Sequence, residues 1–212
     1  MRLTLEQRRS LDTAVIHYER QLAGPALAYV EARGIPHGVA VAYRLGYVGD
    51  PLAGHEQYSG RLAIPYLTPA GCVDMRFRCV EAHDCKEHGH GKYMGRPGVT
   101  PGLFNVCALW RDISQCAIAE GEIDAMTMDQ VLPTVGVPGV KLWQPYWARL
   151  FLDYDRVWVL CDGDDPGREL GASLVKQIDS ATVVHLPEGQ DVNSLYLAGG
   201  QQALRKLIGG RL

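Results

Sequence analysis

Residues 157–170 read VWVLCDGDDPGREL, an apolar run followed by three carboxylates set among two glycines and a proline. The run Val157 to Cys161 has the length of a strand and no polar alternation, the composition of a strand covered on both faces. PGRELGASLVKQI continues it as a helix. Strand, acidic turn and helix form one unit of a parallel α/β sheet, and the neighbouring sequence repeats the unit. QCAIAEG reads as a strand running into a turn, IDAMTMDQVL as a helix, and PTVGVPG as a strand and loop. WQPYWARLFLDY reads as a further helix and ATVVHLP as a last strand. Apolar strands alternating with helices predict a parallel sheet with helices on both faces.

Upstream the pattern differs. LEQRRSLDTAVIHYERQLA and PALAYVEARG have helical spacing, the second closed by Gly34. From Arg61 the runs shorten: RLAIPYL, a Thr-Pro-Ala-Gly turn, and the alternating CVDMRFRCV predict a β-hairpin or meander. A loop rich in His, Gly and charge follows, EAHDCKEHGHGKYMGRPGVTPG. The expected fold class is therefore α/β, with a small mixed α+β part first. The expected divisions are a helical and β-rich segment at 1–113, the parallel sheet at 114–195 and a helical tail at 196–212.

The net charge of −3 over 212 residues hides an asymmetry. Residues 61–111 hold seven Lys/Arg against four Asp/Glu, whereas 112–195 hold five against fourteen. A basic module beside an acidic, metal-binding one is the reading that follows. Six cysteines without a C-x-x-C pair fit a reducing compartment better than a disulfide framework. No segment approaches the roughly 20 apolar residues of a membrane span, and the charged N-terminus lacks the apolar region of a secretory signal. No membrane partner is expected, and the expected location is the cytoplasm, that of a bacterial host if the chain is viral.

In parallel sheets functional groups gather beyond the carboxyl ends of the strands. Glu120 ends the strand AIAE with Asp124 four residues on; Asp162 and Asp164 end VWVLC on either side of Gly163. Carboxylates gathered this closely repel one another unless a cation lies among them. Hard oxygens select Mg²⁺ or Mn²⁺, which leave coordination positions open to phosphate. A plain helix-capping loop accounts for Asp164 or Asp165 alone, but not for a second acidic pair at the end of an earlier strand. The metal reading takes Asp162 and Asp164 as ligands and Asp165 as the cap or turn residue.

Glu120-Gly121-x-x-Asp124-Ala125 and Asp162-x-Asp164-x-x-Gly167 resemble the signature of the TOPRIM fold. The resemblance extends over roughly residues 25–205: YVEARGIP, YRLGYV, GRLAIPYLTPAG, RFR, GKYMGRPG, GLFNVCAL, the two acidic motifs and LPEGQDVNSL follow the order of the RNA polymerase domain of DnaG-type primases. A viral (phage) catalytic core is implied, without the zinc-binding and helicase-binding domains of complete bacterial primases. The resemblance implies primer synthesis on single-stranded DNA from ribonucleoside triphosphates, with two or more Mg²⁺ or Mn²⁺ ions. It implies Glu120, Asp162 and Asp164 as catalytic metal ligands, Asp191 as a further ligand and Asp124 in support. Asn193 stands where the family usually has an aspartate, which keeps an oxygen ligand but removes a charge, so a second metal would be held more weakly. Arg61, Arg76, Arg78, Lys92, Tyr93 and Arg96 are implied to hold template and nucleotide. A separate zinc-binding primase subunit and a replicative helicase are the implied protein partners. Two other readings stay open, a TOPRIM-type nuclease using the same acids on water, and a non-catalytic DNA-binding replication protein.

Cys79, His83, Cys85, His88 and His90 are of zinc-ligating type, but C-x3-H-x-C-x2-H-x-H matches no standard finger and zinc is not expected. His37, His55 and His185 have no visible partners, and Trp143, Trp147 and Trp158 read as packing residues.

Overall fold

The computed structural model describes residues 3–111 and 114–209, which form two compact units dividing at Pro101/Gly102. The first unit opens with helix α1 (Leu5–Glu19), started by a capping box in which Thr4 and Gln7 exchange side-chain and main-chain hydrogen bonds. Helices α2 (Gly24–Ala32) and α3 (His37–Ala42) follow. Strands β1 (Gly46–Tyr47), β2 (Arg61–Thr68), β3 (Gly71–Cys79) and β4 (Tyr93–Gly95) then build an antiparallel sheet in sequence order. The predicted hairpin is β2–β3, in register from Arg61↔Cys79 to Thr68↔Gly71. Pro65 can sit within β2 because β1 pairs only with Leu62 and Ala63, so no ladder donor is lost. Leu11, Ala14, Val15 and Tyr18 of α1 pack with Ala63, Met75 and Phe77 as this unit's core.

The second unit is the parallel sheet, ordered β6-β5-β7-β8 from β5 (Gln115–Glu120), β6 (Thr134–Val137), β7 (Arg156–Cys161) and β8 (Ala181–His185). Period-2 alternation divides its side chains between two cores. Cys116, Ile118, Val157, Val159 and Cys161 meet Leu170 and Leu174 of helix α5 (Asp165–Leu174), together with Trp147 and Phe151. Ala117, Trp158 and Leu160 meet Met128 of α4 (Glu122–Met128) and Val192 and Leu204 of α6 (Val192–Leu207) on the other face. Burying an aliphatic or aromatic side chain of this size contributes about 1.5–3 kcal/mol, so both faces are needed.

Three sequence expectations need correction. The stretch WQPYWARLFLDY is a 3₁₀ segment (Pro145–Phe151), not an α-helix; Trp147 N–H donates to Gln144 O, and Trp147 and Phe151 are seated in the core by that tighter winding. The division lies at 101/102 rather than 113/114, because Phe104 exchanges main-chain hydrogen bonds with Gly136 of β6 and Leu103 joins the second unit's core. No separate tail begins at 196, since α6 runs through that point and bends only at Gly200. Among the described residues no helix is long and apolar enough to cross a membrane.

Candidate active site

The parallel strands β5 and β7 deliver Glu120 and Asp162 to the same edge of the sheet. Two glycines let the chain leave that edge. Gly121 caps α4 at φ 85°, a left-handed conformation that favours glycine. A Cβ at Gly163 would lie 2.2 Å from Pro187 O, so only glycine lets the turn after β7 pass the one after β8. Gly163 N–H donates to Gln190 O at 3.3 Å, tying the loop that carries Asp162 to the loop that carries Asp191.

All five predicted acids fall in one electrostatic cluster. Burial first, then the Asp164 and Asp124 carboxylates, push Glu120 up to about 7. Burial first, then Glu120, Asp191 and Asp164, push Asp162 up to about 7. Such mutual elevation is what gathered carboxylates produce when no positive side chain compensates them. Glu120 Oε2 and Asp162 Oδ1 are buried with no hydrogen-bond donor among the described residues, an arrangement that costs free energy unless a cation accepts the lone pairs.

The remaining acids are oriented by main-chain N–H groups. Asp164, rather than Asp165, is the cap of α5: its Oδ1 accepts from Gly167 N–H at 2.8 Å, while its charge still acts on Glu120 and Asp162. Asp165 lies in the first turn of α5 and ion-pairs with Arg168. Asp191 caps α6 through Ser194 N–H at 2.6 Å, and Asp124 Oδ1 accepts from Asn193 N–H at 2.8 Å. Asn193 itself is fully buried and points elsewhere, its Nδ2 donating to Thr127 Oγ1 at 2.9 Å. The Thr127 hydroxyl donates to Ile123 O at 2.8 Å, so it offers Asn193 only a lone pair. That position requires a donor, which an amide supplies and a carboxylate does not. The departure noted in the sequence thus has a local cause, a tie between α4 and α6 that also holds Asp124; the signal, Thr127, lies 66 residues away.

In the first unit Arg78 is 5% exposed, its guanidinium 4.8 Å from the Tyr93 ring centre and 5.1 Å from that of Tyr29, and it donates to Tyr93 Oη. The Arg76 guanidinium also lies over the Tyr93 ring, 4.6 Å from its centre. Lys92 is exposed. Arg96 is engaged by Asp74 at 2.8 Å and Val73 O at 3.2 Å. Arg61 is 7% exposed and donates to Gly91 O at 3.0 Å.

No model of a known protein family matches the chain. It is 42% identical over 152 residues to the Gene 57 protein of Mycobacterium phage D29, covering 71% of this chain and 99% of that protein. The chain belongs to that protein's family. It is also 24% identical over 226 residues to the DNA primase of Aquifex aeolicus (strain VF5), covering 86% of this chain but only 44% of that primase. Among solved structures, the DnaG catalytic core superposes with a TM-score of 0.79 at 18% identity, over 96% of this chain and 79% of that one. A DnaG primase catalytic domain bound to single-stranded DNA gives 0.72 at 17% identity, over 96% and 80%. The fold is that of the primase catalytic core, a parallel four-stranded sheet flanked by helices and preceded by a mixed α+β unit, and this family member has it over nearly its whole length.

Proposed function

We propose that the chain is a DNA primase catalytic core that joins ribonucleotides on a single-stranded DNA template. The observation that carries the reading is the pair of buried, undonated oxygens, Glu120 Oε2 and Asp162 Oδ1, inside a five-acid cluster. Glu120, Asp162, Asp164 and Asp191 would hold Mg²⁺ or Mn²⁺, since their oxygens are hard and the pKa values of Glu120 and Asp162 are raised by burial and neighbouring carboxylates alone. When bound, the ions would neutralise the triphosphate and lower the pKa of the attacking 3′-hydroxyl. The chain's own residues hold the frame: Gly167, Ser194 and Asn193 N–H groups each fix one oxygen of Asp164, Asp191 and Asp124. That fixed frame orients the acids before substrate arrives.

Lys92, exposed, and Arg76, stacked on Tyr93, are proposed to take template or nucleotide phosphates. Arg78, nearly buried against Tyr93 and Tyr29, would support these two from within by holding Tyr93. Arg61 and Arg96 would act from behind, since both guanidiniums are already engaged by the protein. The binding of single-stranded DNA by a DnaG catalytic domain of the same fold supports a DNA template as partner. A zinc-binding primase subunit and a helicase are proposed as further partners on the same analogy.

The test is template-directed synthesis of dinucleotides with Mg²⁺ or Mn²⁺, with and without candidate zinc-binding subunits. Glu120→Gln or Asp162→Asn should each lower the rate at least about 100-fold, as loss of a few kcal/mol of charge stabilisation requires. Shortened DNA in place of new dinucleotides would assign the cluster to a nuclease; neither product, with no divalent-metal binding, would leave a binding protein.

A further inference from the structure

The loop from β3 to β4 contains a second cluster of ligand type, unrelated to the carboxylates. β3 ends at Cys79 and β4 returns antiparallel beside it, with Arg78 paired to Tyr93 and Cys79 N–H donating to Lys92 O at 2.9 Å. That return folds residues 80–92 over the strand end. One ligand atom each from Cys79, His83, Cys85 and His90 then lies within 4.8 Å of every other. Cys79 Sγ is 3.6 Å from His83 Nε2, and the two Nε2 atoms of His83 and His90 are 3.0 Å apart.

A tetrahedral zinc with bonds of about 2.3 Å to sulfur and 2.0–2.1 Å to nitrogen has S···N edges near 3.6 Å and N···N edges near 3.3 Å. The Cys79–His83 and His83–His90 separations lie within a few tenths of an ångström of those edges, and the other pairs, all within 4.8 Å, would draw in by up to about an ångström on binding. The facing imidazole nitrogens can share only one proton, and two thiols are weak hydrogen-bond partners for them, whereas a cation takes a lone pair from all four. The outer shell is present too. Glu81 Oε2 lies 3.1 Å from His83 Nδ1, a carboxylate placed to hold the tautomer that ligates through Nε2. His90 Nδ1 lies 3.3 Å from Gly91 O and 3.1 Å from Arg61 Nη2. Without metal, Arg61 Nη2, a donor only, gives to His90 Nδ1. Ligation through Nε2 would put the proton on Nδ1 and exchange that bond for one to Gly91 O, while Arg61 Nη1 keeps its own bond to Gly91 O. His88 stacks on His83, ring centres 4.2 Å apart, and stands outside the set.

The geometry points to a structural zinc site of the chain's own, formed by Cys79, His83, Cys85 and His90 and closing the loop that carries Lys92 and Tyr93. Two thiolates and two neutral imidazoles are a closed set with no position left for substrate, which distinguishes a structural from a catalytic zinc. Binding releases the two thiol protons and fixes Gly91 and Lys92 against the end of β3. The site is independent of what the carboxylate cluster does.

The full-length chain, expressed without a polyhistidine tag, should contain about one zinc per molecule by plasma mass spectrometry. Co²⁺ in its place should give the visible bands of a tetrahedral thiolate complex. Cys85→Ser, in the loop and outside the three cores described, should weaken zinc binding at least about tenfold against a competing chelator. Cys107→Ser should leave it unchanged, and so should Glu120→Gln, which separates this site from the acids. A chain that stays metal-free after dialysis against Zn²⁺, or wild-type zinc affinity in Cys85→Ser, overturns the assignment; so does a Cys79–Cys85 disulfide in freshly isolated protein with no cobalt spectrum after reduction.

Discussion

Asp162 carries the main trade-off at the scale of single residues. Its folded value near 7 lies above the ordinary 3.8, and Glu120 rises likewise from 4.5 to about 7. A raised folded value means that the folded state binds the proton more tightly, so the metal-free protein should be most stable below about pH 4 on account of these two groups. That contribution should be lost as pH rises to about 7 and stay lost above it. Thermal unfolding in EDTA between pH 4 and 8 measures the slope, and added Mg²⁺ should raise the midpoint at pH 8 but not at pH 4. Asp162→Asn should therefore stabilise the metal-free protein at pH 8 while abolishing synthesis. Asn193 has the opposite sensitivity. Asn193→Asp would set a carboxylate against the Thr127 lone pair in a fully buried site and should cost about 1–3 kcal/mol, with the penalty growing as pH rises. Chemical denaturation at pH 5 and pH 8 should show the difference. Glu120 and Asp162 were legible in sequence because each ends an apolar run, whereas Asp191 rested on the resemblance alone. The fit of Asn193 was not, since it depends on which hydroxyl in another helix has its proton already committed.

Among the elements, β5 and β7 were the most readable, because an unbroken apolar run bounded by turn residues admits few alternatives to a buried strand. Ile118 lies in the middle of β5 and is 1% exposed, so Ile118→Ala should cost about 2–5 kcal/mol in denaturant unfolding. The segment 145–151 misled because Trp147 and Phe151 are spaced as a helical face, and spacing alone does not distinguish α from 3₁₀ winding in a short run. The loop between β3 and β4 was opaque for another reason. Linear ligand spacing carries no information about a strand that turns back, and Cys79 meets His90 only because β4 pairs with β3. The exposed Lys92 on that return gives an element-level prediction: Lys92→Ala should weaken single-stranded DNA binding and make the dependence of log affinity on log salt shallower by about 0.7. Titrations at several salt concentrations check it, and an unchanged slope would remove Lys92 from the phosphate contacts.

At the scale of the molecule, the charge asymmetry and the change from alternating to uniformly apolar strands announced two units of different kind, but not where one ends. By sequence alone, residues 102–111, GLFNVCALWR, fall in the first segment. Their allegiance is settled by tertiary hydrogen bonds: Phe104 to Gly136, Asn105 Nδ2 to Thr134 O at 2.8 Å, and Tyr154 Oη to Leu109 O at 2.9 Å. The segment lines β6 with an antiparallel bridge and closes what would otherwise be a bare strand edge. The consequence is practical for anyone wishing to excise the sheet. A fragment starting at Gly102 should give dispersed amide spectra and a cooperative melt, whereas one starting at Gln115 should uncover β6 and self-associate, so that the safe place to cut lies a dozen residues before the first strand.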